Sequence, residues 1–515
     1  MPGRFPLTPV ALTGDAFCAD AYCGDPITVI PITVIRKCWY QRYPGGTSRA
    51  KVYGCVVDPN GDMYVAQYFG SGVLPAIYKI SNDVTQVWGK LYSLDPALVS
   101  TALNSYGKSY FLLNAGSGYI DFLAWQWSPT GPPYYVDYPI RIYRYRISKT
   151  DGSIINVAAV DFNPIGTPSE LYIDIRDVKI DGSNNYYFIG QLQANNETLT
   201  TSVFKFTQNL TFVWCKAIPT VIYRGAGACN STVRDGNVFA SLTVTDNGLI
   251  GCTGVPSFTN VSPSYFSLDF DGNTLHSFFP KFSTPYFNDD LSPFLPRSVC
   301  RDAAGNIYGF GGYNSSLAMG NFSTPVIVYK DSPTDTTIWA KNIRDTFFPG
   351  RGTLVGDGNQ LLVVDNKLVL VAPWEVPGTV TTYQLLICIF NTTTGTIERS
   401  LDFRVPQTSG TRAIIQPMPE LGKFIVQTDT GYRIRLDVND LPPIGTYPCT
   451  DNPAVYTVND ASTTTVNHTF YRFTSCGSSP ALVDRDLSGM FSTATPVSPI
   501  TTATGGSFDD FTCQD

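Results

Sequence analysis

Along most of the chain, apolar and polar residues alternate in short runs, the period of strands half-buried in a sheet, and no stretch sustains the period of an amphipathic helix. Asx-Gly turns punctuate the runs, and one order of elements recurs. A turn of the D-x-x-G-N/D kind leads into an aromatic or β-branched strand. A second strand with a Tyr-Lys or similar core follows, and some copies end in a third strand with hydrophobic-Trp-x-Lys. The clearest copy runs Asp58–Asp62 (DPNGD), MYVAQY, Ile77–Ile80 (IYKI) and Val87–Lys90 (VWGK). A second runs Asp181-Gly182, NNYYFIG, Val203–Phe206 (VFKF) and Val213–Lys216 (VWCK); a third runs Asp302–Asn306 (DAAGN), IYGFGG, Val328–Lys330 and Ile338–Lys341 (IWAK).

Weaker copies fill the gaps. Ser109–Asn114 pairs with Ile142–Ile147 and the turn at Asp151-Gly152. Asp246–Gly248 leads into LIGCTG and Tyr265–Phe270, Asp365–Lys367 into LVLVAP and Leu385–Phe390, and Gly422–Val426 pairs with Tyr432–Leu436. Anchor positions Tyr64, Tyr110, Tyr187, Ile250, Tyr308, Val369 and Ile425 are separated by 46, 77, 63, 58, 61 and 56 residues. A small antiparallel sheet cannot bury both faces alone, and radial packing against its neighbours solves that problem. The pattern predicts an all-β chain folded as a seven-bladed β-propeller, with an array of β-sandwiches as the competing architecture. The expected organisation is an N-terminal arm (1–45), the propeller (46–440) and a Thr/Ser/Pro-rich C-terminal extension (441–515). The arm holds a tandem PITVI at 26–35 and then Ile35–Tyr40, placed to supply a ring-closing strand. The extension's composition buries little apolar surface, so an extended arm or a tail ordered by a partner is expected.

Composition narrows the function. Charged residues make up 15% and the net charge is −7, which argues against nucleic-acid binding. No apolar run is long enough to cross a membrane as a helix, and the proline-interrupted N-terminus does not read as a secretion signal. Eight Asn-x-Ser/Thr sequons, from Asn196 to Asn467, are therefore expected to be unmodified. The chain has 12 cysteines and no CxxC. Cys215, Cys252 and Cys388 read as buried thiols in strands. Cys18, Cys23, Cys38 and Cys55 at the front, with Cys449, Cys476 and Cys513 at the back, are candidate disulfide cysteines whose pairing the sequence leaves open.

Only two histidines exist, His276 and His468, so any His-dependent triad or metal site must use one of them. Asp58, Asn60 and Asp62 have the spacing that opens a calcium loop, but Phe69 stands where a bidentate Glu is needed, and a hairpin turn is the better reading. Ser267–Gly272 hints at a sialidase Asp-box without its Gly and Trp, and Asp289-Asp290 and Asp509-Asp510 are acidic pairs with no geometry attached. No P-loop or dinucleotide fingerprint occurs. No catalytic set, cofactor or metal is expected. Trp88, Trp214 and Trp339 occupy equivalent repeat positions, which suits blade packing better than a ligand platform. Tyr119–Tyr138 reads as an aromatic blade-edge loop in which Trp125, Trp127, Tyr134 and Tyr135 would meet a partner subunit or a glycan.

The Trp-x-Lys strand ending resembles that of propellers related to the quinoprotein dehydrogenases, which implies calcium and a quinone; no ligand set for them stands out. As a whole, the weakly charged, acidic, Tyr-, Thr-, Gly- and Asn-rich chain resembles β-propeller virion proteins of tailed bacteriophages, those of tails, fibres and nozzles. That resemblance implies a structural or host-recognition part of the tail and not an enzyme. Such a chain assembles in the host cytoplasm as a homo-oligomer with other tail proteins, and takes a host surface glycan if it recognises one. The alternative is an extracytoplasmic propeller enzyme, a hydrolase or quinone-type oxidoreductase, or a carbohydrate-binding module.

Overall fold

The computed structural model describes forty strands between Cys38 and Cys513 with the short turns that join them; residues 1–37, including the duplicated PITVI, and stretches such as 94–107, 127–139 and 314–325 lie outside the described residues. Within residues 36–515 the strands form seven small antiparallel sheets in a ring, a seven-bladed β-propeller. Blade 1 runs outward through Lys51–Val57, Met63–Tyr68, Pro75–Ile80 and Gln86–Ser93. The innermost strands of blades 2 to 7 are Lys108–Leu113, Tyr172–Ile180, Phe239–Thr245, Phe294–Arg301, Leu361–Val364 and Ala413–Pro417. The last blade draws its fourth strand from the front of the chain, where Cys38–Arg42 pairs with Tyr432–Asp437.

The C-terminal segment then travels back round the ring, adding an outer strand to one blade after another. Asn452–Asp460 pairs with blade 6, Thr463–Asn467 with blade 5 and Phe470–Arg472 beside blade 4. Val483–Asp484 follows on blade 3, Phe491–Thr493 on blade 2, Ile500–Ala503 on blade 1 and Asp509–Cys513 on blade 7. The tail therefore does not stand off as an open arm. Strand addition uses backbone N–H and C=O groups, which a Thr/Ser-rich segment has in full, and needs no apolar side chains.

A second correction concerns blade 2. Tyr119–Gln126 is a strand and not a loop; Trp125 is paired with Ser109 on one side and Ile142 on the other. Trp127, Tyr134 and Tyr135 lie outside the described residues. Phe122 in this strand, and not Tyr110, corresponds to the other anchors. It restores the spacing to 58 and 65 residues in place of 46 and 77.

Hydrophobic cores lie between blades, not within them. Leu123, Val160 and Phe162 of blade 2 pack with Ile175, Phe188 and Phe206 of blade 3, and similar clusters fill other boundaries. Three boundaries share one construction. In blade 1, the Tyr64 hydroxyl donates to Asp58, the Trp88 ring lies 6.2 Å from the Tyr64 ring, and the indole N–H donates to the Lys149 carbonyl of blade 2 at 3.0 Å. In blade 3, Tyr187 donates to Asp181 and Trp214 donates to the Phe270 carbonyl of blade 4 at 3.2 Å. In blade 5, Tyr308 donates to Asp302 and Trp339 donates to the Thr392 carbonyl of blade 6 at 3.1 Å. Burial, reinforced by the neighbouring carboxylate, pushes all three tyrosine hydroxyls far above their usual range, so they remain neutral donors.

Each indole lies against a glycine in the next blade's turn, and a side-chain carbon there would stand 2.8 Å from Trp88 (Gly152), 3.0 Å from Trp214 (Gly272) and 2.6 Å from Trp339 (Gly395). All three glycines have positive φ, which a side chain would strain further. Gly395→Ala is expected to destabilise the protein by about 1–3 kcal/mol in equilibrium denaturation, whereas Gly182→Ala, in a turn with open space around it, stays within about 0.5 kcal/mol. A chain ending at Pro442 loses every outer strand of the tail and exposes the blade edges. It is expected to self-associate in sedimentation runs where the full chain does not.

Candidate functional site

The seven innermost strands surround a cavity of about 460 Å³ at the ring centre. All seven contribute lining residues, from Gly54–Val57 of blade 1 to Ile414–Pro417 of blade 7. Most of the wall is apolar, including Val56, Leu112, Val178, Val299 and Leu361. The charged lining residues are Arg176, Asp177 and Lys179 of blade 3 and Arg301 of blade 5, three cations to one carboxylate in a chain whose net charge is −7. Ser241, Thr243 and Gln416 add neutral polar groups.

Three innermost strands carry a bulge five residues before the turn aspartate. In blade 1, Val52 pairs with Gln67 and Gly54 with Ala66, leaving Tyr53 as the extra residue. In blade 3, Ile175 pairs with Gly190 and Asp177 with Ile189, leaving Arg176; in blade 5, Pro296 pairs with Gly311 and Ser298 with Phe310, leaving Arg297. A bulge re-aims side chains and recurs next to functional sites. The residue after each bulge faces the next inner strand. Asp177 accepts from the Leu242 N–H at 2.9 Å, and Ser298 accepts from the Leu361 N–H at 3.2 Å. At Gly54 a side-chain carbon would stand 3.0 Å from the Leu112 nitrogen, so the equivalent place in blade 1 has no room for an acceptor side chain.

Asp177 is fully engaged. One carboxylate oxygen accepts from Lys179 Nζ at 2.8 Å and the Val178 N–H at 2.9 Å, and the other takes the Leu242 N–H and the Ser241 hydroxyl. It works as a tie between blades 3 and 4, extended to blade 5 by the Thr243 hydroxyl donating to the Val299 carbonyl at 2.8 Å. The cationic balance of the cavity therefore sits on the two arginines, Arg176 and Arg301.

The tight turns, such as Asp58–Asp62 and Asp181–Asn185, mark one end of the channel. The ends of the second and fourth strands of each blade, and the starts of the first and third, mark the opposite end. The bulges, set back five residues from the tight turns, make that end the candidate binding mouth.

The other sequence-stated candidates fall elsewhere. Asp58 is a turn acceptor, its oxygens taken by the N–H groups of Asn60 and Asp62 and by the Tyr64 hydroxyl, while Asp62 pairs with Lys79 at 2.8 Å. At Asp181 hydrogen bonds from Asn185, Tyr187 and Ser183 outweigh the opposing effect of burial and hold the carboxyl below its ordinary range. Cys55 is a buried thiol in the core between blades 1 and 7 and not half of a disulfide; Cys215, Cys252, Cys300 and Cys388 are buried thiols as well. Burial pushes the Cys252 and Cys300 thiols well above their usual range, which makes them inert. Cys38, Cys449 and Cys513 lie in adjoining strands, and Cys18, Cys23 and Cys476 are outside the described residues. His276 lies half-buried in the outer strand of blade 4, and His468 is outside the described residues. Sequence reasoning missed the channel residues because seven distant segments meet there, and the only local signal was a charged residue interrupting a strand pattern, as in IDIRDVKI.

No family model matches the chain, and no curated protein matches it. Among solved structures, a polysaccharide lyase described as an ulvan lyase is similar at 11% identity and a TM-score of 0.46, over 76% of this chain and 95% of that one. An alpha-L-arabinanase from Penicillium chrysogenum is similar at 10% identity and a TM-score of 0.37, over 79% and 99%. A Synechocystis apocarotenoid oxygenase is similar at 9% identity and a TM-score of 0.34, over 84% and 92%. The expectation that this chain is not an enzyme is corrected by these findings. The structures similar to it include enzymes, and a ring of this kind gives no ground for excluding catalysis. At these identities the likeness extends to the fold alone.

Proposed function

We propose that this propeller binds an acidic carbohydrate polymer at the channel mouth opposite the tight turns. The observation that carries the reading is the concentration of cationic residues on the innermost strands of an acidic chain. Arg176, on the blade 3 bulge, lines the cavity, and Arg297 stands on the equivalent blade 5 bulge, both five residues before their tight turns. Arg301, beside the Asp302 turn, lines the other end. Guanidinium groups offer paired donors to a carboxylate or sulfate. The reading corresponds to the carbohydrate-directed alternative raised from the sequence. A place in a tailed-phage particle remains a separate proposal, resting on composition. There the same mouth would serve recognition of a host glycan, and co-sedimentation with intact particles tests it.

In affinity electrophoresis, the protein is expected to be retarded by polygalacturonate and not by neutral dextran, with retardation falling as salt rises. Loss of charge-assisted hydrogen bonds, each worth about 1.5–3 kcal/mol, should weaken binding at least about tenfold in Arg176→Ala/Arg297→Ala, provided its melting temperature is unchanged. Equal retardation by dextran, or an unaltered double variant, contradicts the reading. Release of new reducing ends from the same polymers reports whether the bound chain is also cut.

A further inference from the structure

The segment that closes the ring and the end of the circumferential tail meet in one place. Cys38–Arg42 pairs antiparallel with Asp509–Cys513 over five consecutive positions, and the register sets Cys38 directly opposite Cys513. On the other side of the same strand, position 449 is also opposite Cys513, but through a single pair next to an irregularity. Three cysteines thus stand in a row across three neighbouring strands, Gly445–Cys449, Asp509–Cys513 and Cys38–Arg42. Directly opposed residues of an antiparallel pair have Cα atoms about 4.5–5.5 Å apart and share a face, within the range of about 4.4–6.8 Å that a disulfide spans.

We propose that Cys38 and Cys513 form a disulfide that fastens the end of the tail to the ring-closing strand. The continuous ladder favours Cys38 over Cys449 as the partner. In forming the bond, two thiols lose two protons and two electrons. The electrons pass by thiol–disulfide exchange to an external disulfide, such as glutathione disulfide, which leaves as two thiols.

The bond would act where the architecture is weakest. Along the tail, pairing is short: two residues with blade 3 and three with blade 2. Strands this short hold poorly alone, and a tail that frays at its end can peel from one blade edge after another. A covalent link at its last strand removes that starting point. It also joins the two ends of the ring blade, since residues 38–42 and 509–513 are its two outermost strands.

The sequence makes the test direct. Trypsin releases Cys38 in the peptide CWYQR (38–42), Cys449 in the peptide 436–472 and Cys513 in the peptide 486–515, so each pairing has its own mass. The full chain, equilibrated with glutathione disulfide, alkylated and digested without reductant, should yield CWYQR linked to 486–515. Alkylated thiols at both positions, or 486–515 linked to 436–472, overturns the proposal. A second readout covers the fastening itself. Reductant should lower the melting temperature of the oxidised wild type by several degrees and leave Cys513→Ser unmoved; equal shifts in both proteins overturn the fastening role.

Discussion

An indole N–H that reaches across a blade boundary, and the glycine it requires on the far side, organise the ring. Trp88, Trp214 and Trp339 each donate to a carbonyl of the following blade, and Gly152, Gly272 and Gly395 keep the space beside each ring open. These three tryptophans stand in blades 1, 3 and 5, and their glycines in blades 2, 4 and 6. The structural unit is consequently a pair of blades repeated three times, with the indoles 126 and 125 residues apart. A lysine strengthens the joint. Lys205 and Lys330 lie over the tyrosine rings of their own blades at 5.4 Å, and each also donates to the carbonyl that receives the indole.

Three pairs make six blades, and the seventh has to be joined differently. At its seam with blade 1, Arg435 donates to the Asn82 backbone carbonyl at 3.0 Å, and the Asn82 amide donates to Glu420 at 3.3 Å. No tryptophan stapling of the kind seen in blades 1, 3 and 5 is present there among the described residues. The odd blade is instead completed by strands from both ends of the chain. The same alternation reaches the channel. Bulges fall in blades 1, 3 and 5, at Tyr53, Arg176 and Arg297, so the innermost strands carry a three-fold pattern inside a seven-fold ring.

Much of this was legible in the residues. Asp-x-x-Gly-Asn turns are local: the Asp302 side chain accepts from the Asn306 backbone and side chain, and such chemistry shows in any window of five residues. Seven units followed from it. Copies that looked weak included the even blades, which lack the Trp-x-Lys ending because their part in the joint is a glycine and a carbonyl. Blade 2 was misjudged because YIDFLAWQ precedes a proline-rich stretch and is aromatic enough to pass for a binding loop. Pairing of the tail was invisible, since backbone hydrogen bonding leaves no trace in side-chain pattern. The cationic lining was invisible too, because Arg176 and Arg301 are 125 residues apart and come to the same cavity only through the closure of the ring.

The most direct test of the paired-blade account is hydrogen exchange at the tryptophan indoles of the intact, nitrogen-15-labelled protein. The account predicts that the Trp88, Trp214 and Trp339 indole protons exchange as slowly as amides in the core strands. It also predicts that Gly152→Ala accelerates Trp88 while leaving Trp214 and Trp339 protected. Fast exchange at all three indoles, or a Gly152→Ala effect spread equally over them, would contradict it.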